Sequence, residues 1–116
     1  MKLTWMTEDQ TSELKKLQEP GNEEQAAKKV VEFYKATSGA TRDAATKSIQ
    51  EGCAVFYTKL FGQQAQQQLN ELRQKGTSDE EIAKKVQENV NNVEDATKRR
   101  LALNALLICK ASYGLN

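Results

Sequence analysis

The sequence predicts an all-α fold of six helices in two related sets of three. Apolar residues recur at helical spacing, Pro occurs once, and runs of β-branched residues are absent. The chain also repeats, because residues 27–57 align without a gap with residues 83–113, at an offset of 83 − 27 = 56. Two copies exclude a long solenoid and indicate a compact protein with two lobes. Nine of these 31 aligned positions are identical, and the first-copy members are Ala27, Lys28, Lys29, Val30, Glu32, Ala40, Thr41, Cys53 and Tyr57.

The length of the chain favours one domain. A protein of 116 residues can bury a hydrophobic core, whereas a half of about 55 residues would be marginal alone. We therefore expect residues 1–116 to form a single domain, with an internal repeat at about 7–61 and 63–114.

The first predicted helix has recognisable signals at both ends. Thr7 followed by Gln10 fits a capping box, in which the Thr7 hydroxyl accepts from a free backbone N–H. The helix is expected to run to about Glu19, where Pro20 and Gly21 stop it.

The second and third helices complete the first set. Asn22 is expected to cap a helix that ends near Thr37, and the next helix is expected to start near Thr41. Gly52 is a point where the third helix could bend. The predicted inner faces are Ala26, Val30, Phe33, Tyr34 and Thr37 on the second helix, and Ala45, Ile49, Cys53, Phe56 and Leu60 on the third.

The second set follows the same plan. The fourth helix is expected from about Gln63 to Lys75, and Gly62 is the one breaker before it, which predicts a near-continuous helix shared by both lobes. Thr77 and Ser78 offer alternative caps for the fifth helix, and Asp95 can cap the sixth. The inner faces are Ala65, Leu69 and Leu72, then Ile82, Val86, Val90 and Val93, then Leu101, Ala105, Ile108, Cys109 and Ser112.

The sixth helix is apolar nearly all round, which predicts a central element covered on most sides. Its large apolar residues are Leu101, Leu103, Leu106, Leu107 and Ile108.

The composition argues against several functional classes. A net charge of +1 with 28% charged residues lacks the concentrated basic excess of a nucleic-acid binder. The chain contains no His, which removes the commonest general base and metal ligand. Because no catalytic, metal-ligating or phosphate-cradling pattern is visible either, we expect neither an enzyme nor a bound metal or cofactor.

The two cysteines have two interpretations. Cys53 and Cys109 occupy the same place in the two copies, so they are either buried free thiols or a disulfide between the repeats. A disulfide would indicate an oxidising, extracellular setting.

Trp5 and the basic clusters are also open to two interpretations. Trp5 is either a core anchor or part of a ligand cavity. The pairs Lys28–Lys29 and Lys84–Lys85 favour ion pairs on a solvated face over a pocket mouth, and residues 98–100 favour a solvated face over a processing or phosphate-contact signal.

Several segments together carry a family resemblance. The run from Leu3 to Thr7, the run from Glu13 to Leu17, Gly52–Cys53, the run from Gly76 to Val86 and the ending from Cys109 to Tyr113 resemble a unit of the nematode polyprotein allergens. The similarity extends from about Leu3 to Gly114, although the basic cleavage run expected at a unit's end is missing after Gly114.

The resemblance implies six to seven helices in two lobes that share a long central helix, and a non-enzymatic, secreted carrier cut from a tandem precursor. It implies fatty acids and retinol as ligands, bound in apolar cavities. We also expect transient membrane contact during lipid exchange, and a monomer or weak dimer. Lys or Arg residues at helix ends are candidates for holding a carboxylate. The alternative is a helical protein-interaction module with a dry core and no ligand. Candidate cavity residues are the inward apolar positions Val30, Phe33, Ile49, Phe56, Ile82, Val86, Val90 and Leu106.

Overall fold

The computed structural model describes residues 4–115 and confirms the all-helical class. Leu3, where the family resemblance begins, lies outside these residues. Six helices are present in the described part of the chain: α1 (Glu8–Lys15), α2 (Glu23–Lys35), α3 (Gly39–Phe61), α4 (Gln63–Gln74), α5 (Asp79–Asn91) and α6 (Ala96–Ser112).

Three of the predicted helix caps form. Thr7 Oγ1 accepts from the Gln10 backbone N–H at 3.1 Å, and Gln10 Oε1 accepts from the Thr7 N–H at 3.0 Å. Ser78 caps α5 by accepting from the Glu81 N–H at 3.2 Å, and Asp95 caps α6 in the same way. The local sequence therefore determines where these helices begin.

The C-terminal end of α1 differs from the prediction, whereas α2 starts where it was expected. α1 ends at Lys15 instead of near Glu19, because the chain tightens into shorter turns in which the Leu17 N–H donates to the Leu14 carbonyl at 3.0 Å. α2 begins directly after Asn22, as predicted, but the Asn22 side chain makes no capping hydrogen bond.

The long central helix shared by both lobes is α3, which spans 23 residues. Ala45 and Ile49 of α3 are buried in the first lobe, and Tyr57 is buried in the second. The predicted near-continuous helix through Gly62 is wrong, because Gly62 has a φ of +94° that ends α3 and reverses the chain into α4.

The first lobe consists of α1, α2 and the N-terminal half of α3, with a filled aromatic core. Trp5 packs edge-on against Tyr34, their ring centroids 6.3 Å apart, and both are buried with Phe33 in the same cluster. The position of Trp5 agrees with its interpretation as a core anchor. Lys29 ties this lobe together at the surface, with Nζ 3.1 Å from a carboxylate oxygen of Glu13, which raises the pKa of the Lys29 amine.

The second lobe consists of α4, α5 and the C-terminal half of α3, and α6 lies between the lobes. α6 packs against α2, α3 and α5. The expectation that α6 is covered on most sides is wrong in part, because Leu101, Leu103 and Leu107 remain 37–42% exposed. No helix among residues 4–115 has the length and apolarity needed to cross a membrane.

A disulfide joins α3 to α6. Cys53 and Cys109 are bonded, with Cα atoms 6.1 Å apart, so the inter-repeat disulfide is confirmed and the free-thiol interpretation is excluded. Closing a loop with a sequence separation of 56 contributes about 4 kcal/mol in the chain-entropy model.

Candidate functional site

A cavity lies in the second lobe between α3, α4, α5 and α6. The centre of a water-sized sphere can occupy about 90 Å³ of it. One water molecule needs about 10–15 Å³ of such volume, so the cavity is larger than a packing defect. Its walls are mainly aliphatic and aromatic, and the disulfide forms part of them. Phe56 and Arg73 are lining residues that are also exposed, so they mark where the cavity reaches the surface.

The structure divides the eight candidate cavity residues between the lobes. The three first-lobe candidates, Val30, Phe33 and Ile49, are packed in the filled core and do not line this cavity. The other five line it together: Phe56, Ile82, Val86, Val90 and Leu106.

Side-chain size explains why the second lobe has room. At the repeat offset of 56, Tyr34 aligns with Val90 and Ile49 aligns with Ala105. Tyr34 and Ile49 fill the first core, whereas Val90 and Ala105 line the cavity. The smaller residues leave space because neighbouring helices collapse only partly around a missing side chain.

A third aligned pair has a polar consequence. Phe33 of the first core aligns with Asn89, whose Nδ2 donates to the hydroxyl of Tyr57 at 2.8 Å. Tyr57 lines the cavity and packs against Phe61 in a tilted arrangement, with ring centroids 4.7 Å apart. The hydrogen bond therefore bridges α5 and α3 and fixes one wall.

The cavity carries few polar groups. Arg73 Nη2 donates to the hydroxyl of Tyr113 at 2.9 Å, and the guanidinium carbon lies 5.4 Å from the ring centroid. Gln66 Oε1 is buried and has no hydrogen-bond partner among the described residues. A buried acceptor without a partner is uncommon, and a hydroxyl-bearing guest would satisfy it.

Sequence reasoning missed several of these residues. In the sequence, Tyr57 stands out only as an identity between the two repeats. Arg73 and Tyr113 are 40 residues apart in the chain, so their contact is not visible in the sequence. Arg73 and Lys110, which both line the cavity, do lie in the last turns of α4 and α6. They therefore match the general description of basic residues at helix ends, but no motif distinguished them from the other basic residues.

The cavity lining is mainly apolar, with three charged residues, Arg73, Asp79 and Lys110. Within residues 4–115 no cluster of three potential metal ligands occurs. The pKa of Asp95 is lowered, chiefly by the hydrogen bond from the Lys98 backbone N–H, but Asp95 is a helix cap outside the cavity lining.

Comparison with known proteins identifies the family. A family model described as nematode polyprotein allergen ABA-1 matches residues 2–113. The DVA-1 polyprotein of Dictyocaulus viviparus is 34% identical over 97% of this chain and 7% of its own length. Polyprotein ABA-1 of Ascaris suum is 28% identical over 98% of this chain and 8% of its own length. No solved structure matches significantly. The chain therefore spans less than a tenth of these relatives, and it belongs to the nematode polyprotein allergen family.

Proposed function

We propose that this protein is a secreted, non-enzymatic carrier that binds a fatty acid or retinoid in the second-lobe cavity. The observation that carries the proposal is the largely apolar cavity between α3 and α5. Members of this family are lipid binders in general, which supports the proposal. The disulfide supports an extracellular setting, because such bonds persist in oxidising compartments.

The driving force is burial of the ligand's hydrocarbon. Each CH₂ removed from water contributes about 0.8 kcal/mol, so a long acyl chain needs few polar contacts. About 90 Å³ accepts part of such a chain. The rest becomes buried when α3 and α5 move apart, which breaks the Asn89–Tyr57 hydrogen bond and separates Tyr57 from Ile82.

Displacement of a fluorescent fatty acid tests the proposal. The wild-type protein is expected to raise the probe's emission, and oleate is expected to reverse the increase. Ala105→Leu places a larger side chain in the cavity and should weaken binding of both molecules at least tenfold. The matched control is Ala44→Leu, which adds the same side chain at an exposed α3 position and should bind as the wild type does. Unchanged emission with the wild-type protein would reject the proposal.

A second candidate function is a protein-interaction module that uses the surface of α6. The partly exposed Leu103 and Leu107 lie one helical turn apart and favour this alternative. A module of this kind would neither bind the probe nor respond to Ala105→Leu. Its partner binding would instead fall when Leu103 and Leu107 are replaced by Ser.

A further inference from the structure

Arg73 lines the cavity, and most of its hydrogen-bonding capacity is not used by the described residues. A guanidinium has five N–H donors. Among the described residues, Arg73 uses one of them, toward Tyr113, and it forms no ion pair with a described carboxylate. Because Tyr113 accepts this bond through its oxygen, its own hydroxyl proton stays available to another acceptor.

The first lobe also has an arginine stacked on a tyrosine, but its hydrogen bonds differ. Arg42 also stacks on a tyrosine, with its guanidinium carbon 4.9 Å from the Tyr34 ring centroid. Its Nε donates to the Thr37 carbonyl and hydroxyl, and its Nη2 donates to the Lys35 carbonyl at 2.9 Å. Arg42 therefore satisfies the C-terminal end of α2, whereas Arg73 has no comparable structural role.

The residues that line the cavity carry a net positive charge. Arg73 and Lys110 are cationic and Asp79 is anionic, which gives 2 − 1 = +1. Lys110 also borders a neighbouring depression lined by Glu80 and Lys84, so its ammonium is shared with a second charged surface. Arg73 does not border that depression. An apolar cavity with one excess positive charge suits an apolar chain that ends in one carboxylate.

We propose that Arg73 and Tyr113 anchor the carboxylate of the bound lipid at the cavity mouth, an inference that rests on the lipid-binding function proposed above. The planar guanidinium donates two N–H groups to the two carboxylate oxygens, and the Tyr113 hydroxyl can add a third bond. The anchor selects fatty acids over alcohols of the same chain length. The stacked tyrosine ring holds the guanidinium in place.

Binding of oleate and oleyl alcohol to Arg73→Gln tests this assignment. Titration should show oleate binding about tenfold weaker than in the wild type, at the low end for a charged hydrogen bond because Arg73 is exposed. Oleyl alcohol binding should be unchanged, because the alcohol has no carboxylate for Arg73 to hold. Arg73→Lys keeps the charge but loses the planar arrangement of donors. Its affinity for oleate should lie between those of the wild type and Arg73→Gln.

The control is Lys47→Gln, which removes one positive charge from an exposed α3 position outside the cavity lining. It should bind oleate as the wild type does. Equal weakening of oleate and oleyl alcohol in Arg73→Gln, or no weakening of either, would overturn the anchor while leaving the carrier function intact. A wild-type protein that binds neither molecule would reject the carrier function itself. Thermal midpoints within a few degrees of the wild type show that a variant is folded.

Discussion

The two lobes are built from related sets of helices, but their cores are packed differently. The first buries Trp5, Phe33 and Tyr34 together in one filled cluster. The second buries Tyr57, Leu69 and Ile82 around a cavity. Both contain an Arg–Tyr stack, but the arginine of the first lobe is held by backbone carbonyls, and that of the second is nearly free.

Under the proposed function, the difference would separate stability from binding within a repeated helical framework. At a few positions aligned by the repeat, the second copy has a smaller side chain, and the packed core is replaced by space. Val90 aligns with Tyr34, and Ala105 aligns with Ile49. Stability should therefore depend mostly on first-lobe residues and ligand affinity mostly on second-lobe residues.

Removal of the disulfide should have the largest effect, because it links the helices that both lobes share. Cys53→Ala combined with Cys109→Ala is expected to lower the free energy of unfolding by about 4 kcal/mol. Guanidinium unfolding followed by circular dichroism measures this loss. Hydrogen exchange should show α4 and α5 losing protection before α2, because a cavity leaves them fewer packing contacts. Loss of α2 protection first would contradict the proposed division between the lobes.

Leucine substitutions at two alanines, one in each core, should have the next largest effect on stability and should distinguish the two lobes. Ala45 has 0% exposure in the filled core, so Ala45→Leu is expected to cost about 1–3 kcal/mol through overpacking. Ala105→Leu enters the cavity and should change the unfolding free energy by less than about 1 kcal/mol. Thermal or guanidinium unfolding of the two variants gives both values. Equal destabilisation would show that the second lobe has no usable space.

The smallest effect on stability is expected from the N-terminal caps of α3 and α6, the two helices that the disulfide joins. Asp95 caps α6 with its side chain, whereas Ser38 makes no side-chain cap on α3. The folded-state pKa of Asp95 is lowered, mainly by the Lys98 N–H, so its charge stabilises the fold fully above the unfolded pKa of about 3.9. That contribution is lost as the pH falls through the folded pKa.

Asp95→Asn isolates this charge, because Asn can still cap a helix. The melting temperature of the variant should be slightly below that of the wild type at pH 7, and the difference should disappear as the pH falls through the lowered folded-state pKa of Asp95. Melting curves between pH 7 and 2 measure it. Ser38→Ala is the matched control at the start of α3, and its difference from the wild type should not vary with pH. A difference for Asp95→Asn that is constant across this range would contradict the electrostatic origin.

Local signals in the sequence predicted the helices and most of their starts. Thr7, Ser78 and Asp95 act through neighbours three residues away, so their roles are visible in sequence. The disulfide was one of two interpretations, supported by the repeat. The early end of α1 and the turn at Gly62 were missed, because several backbone solutions are compatible with the same residues.

The cavity and its polar groups could not be read from periodicity. Inward apolar positions look alike in sequence whether they pack tightly, as Val30 does, or line a space, as Val86 does. The pairing of Arg73 with Tyr113 depends on how α4 meets the end of α6, which only the tertiary structure specifies. The exposure of Leu103 and Leu107 depends on the spacing of the helices around α6 in the same way.

Methyl NMR spectra recorded with and without oleate test the central claim most directly. The second-lobe methyl groups of Ile82, Val86 and Val90 should shift and show contacts to the acyl chain, because these residues line the cavity. The first-lobe methyl groups of Val30 and Ile49 should stay unchanged, because they lie in the filled core. Ligand contacts confined to Val30 and Ile49, or no shift at any of the five, would contradict the account.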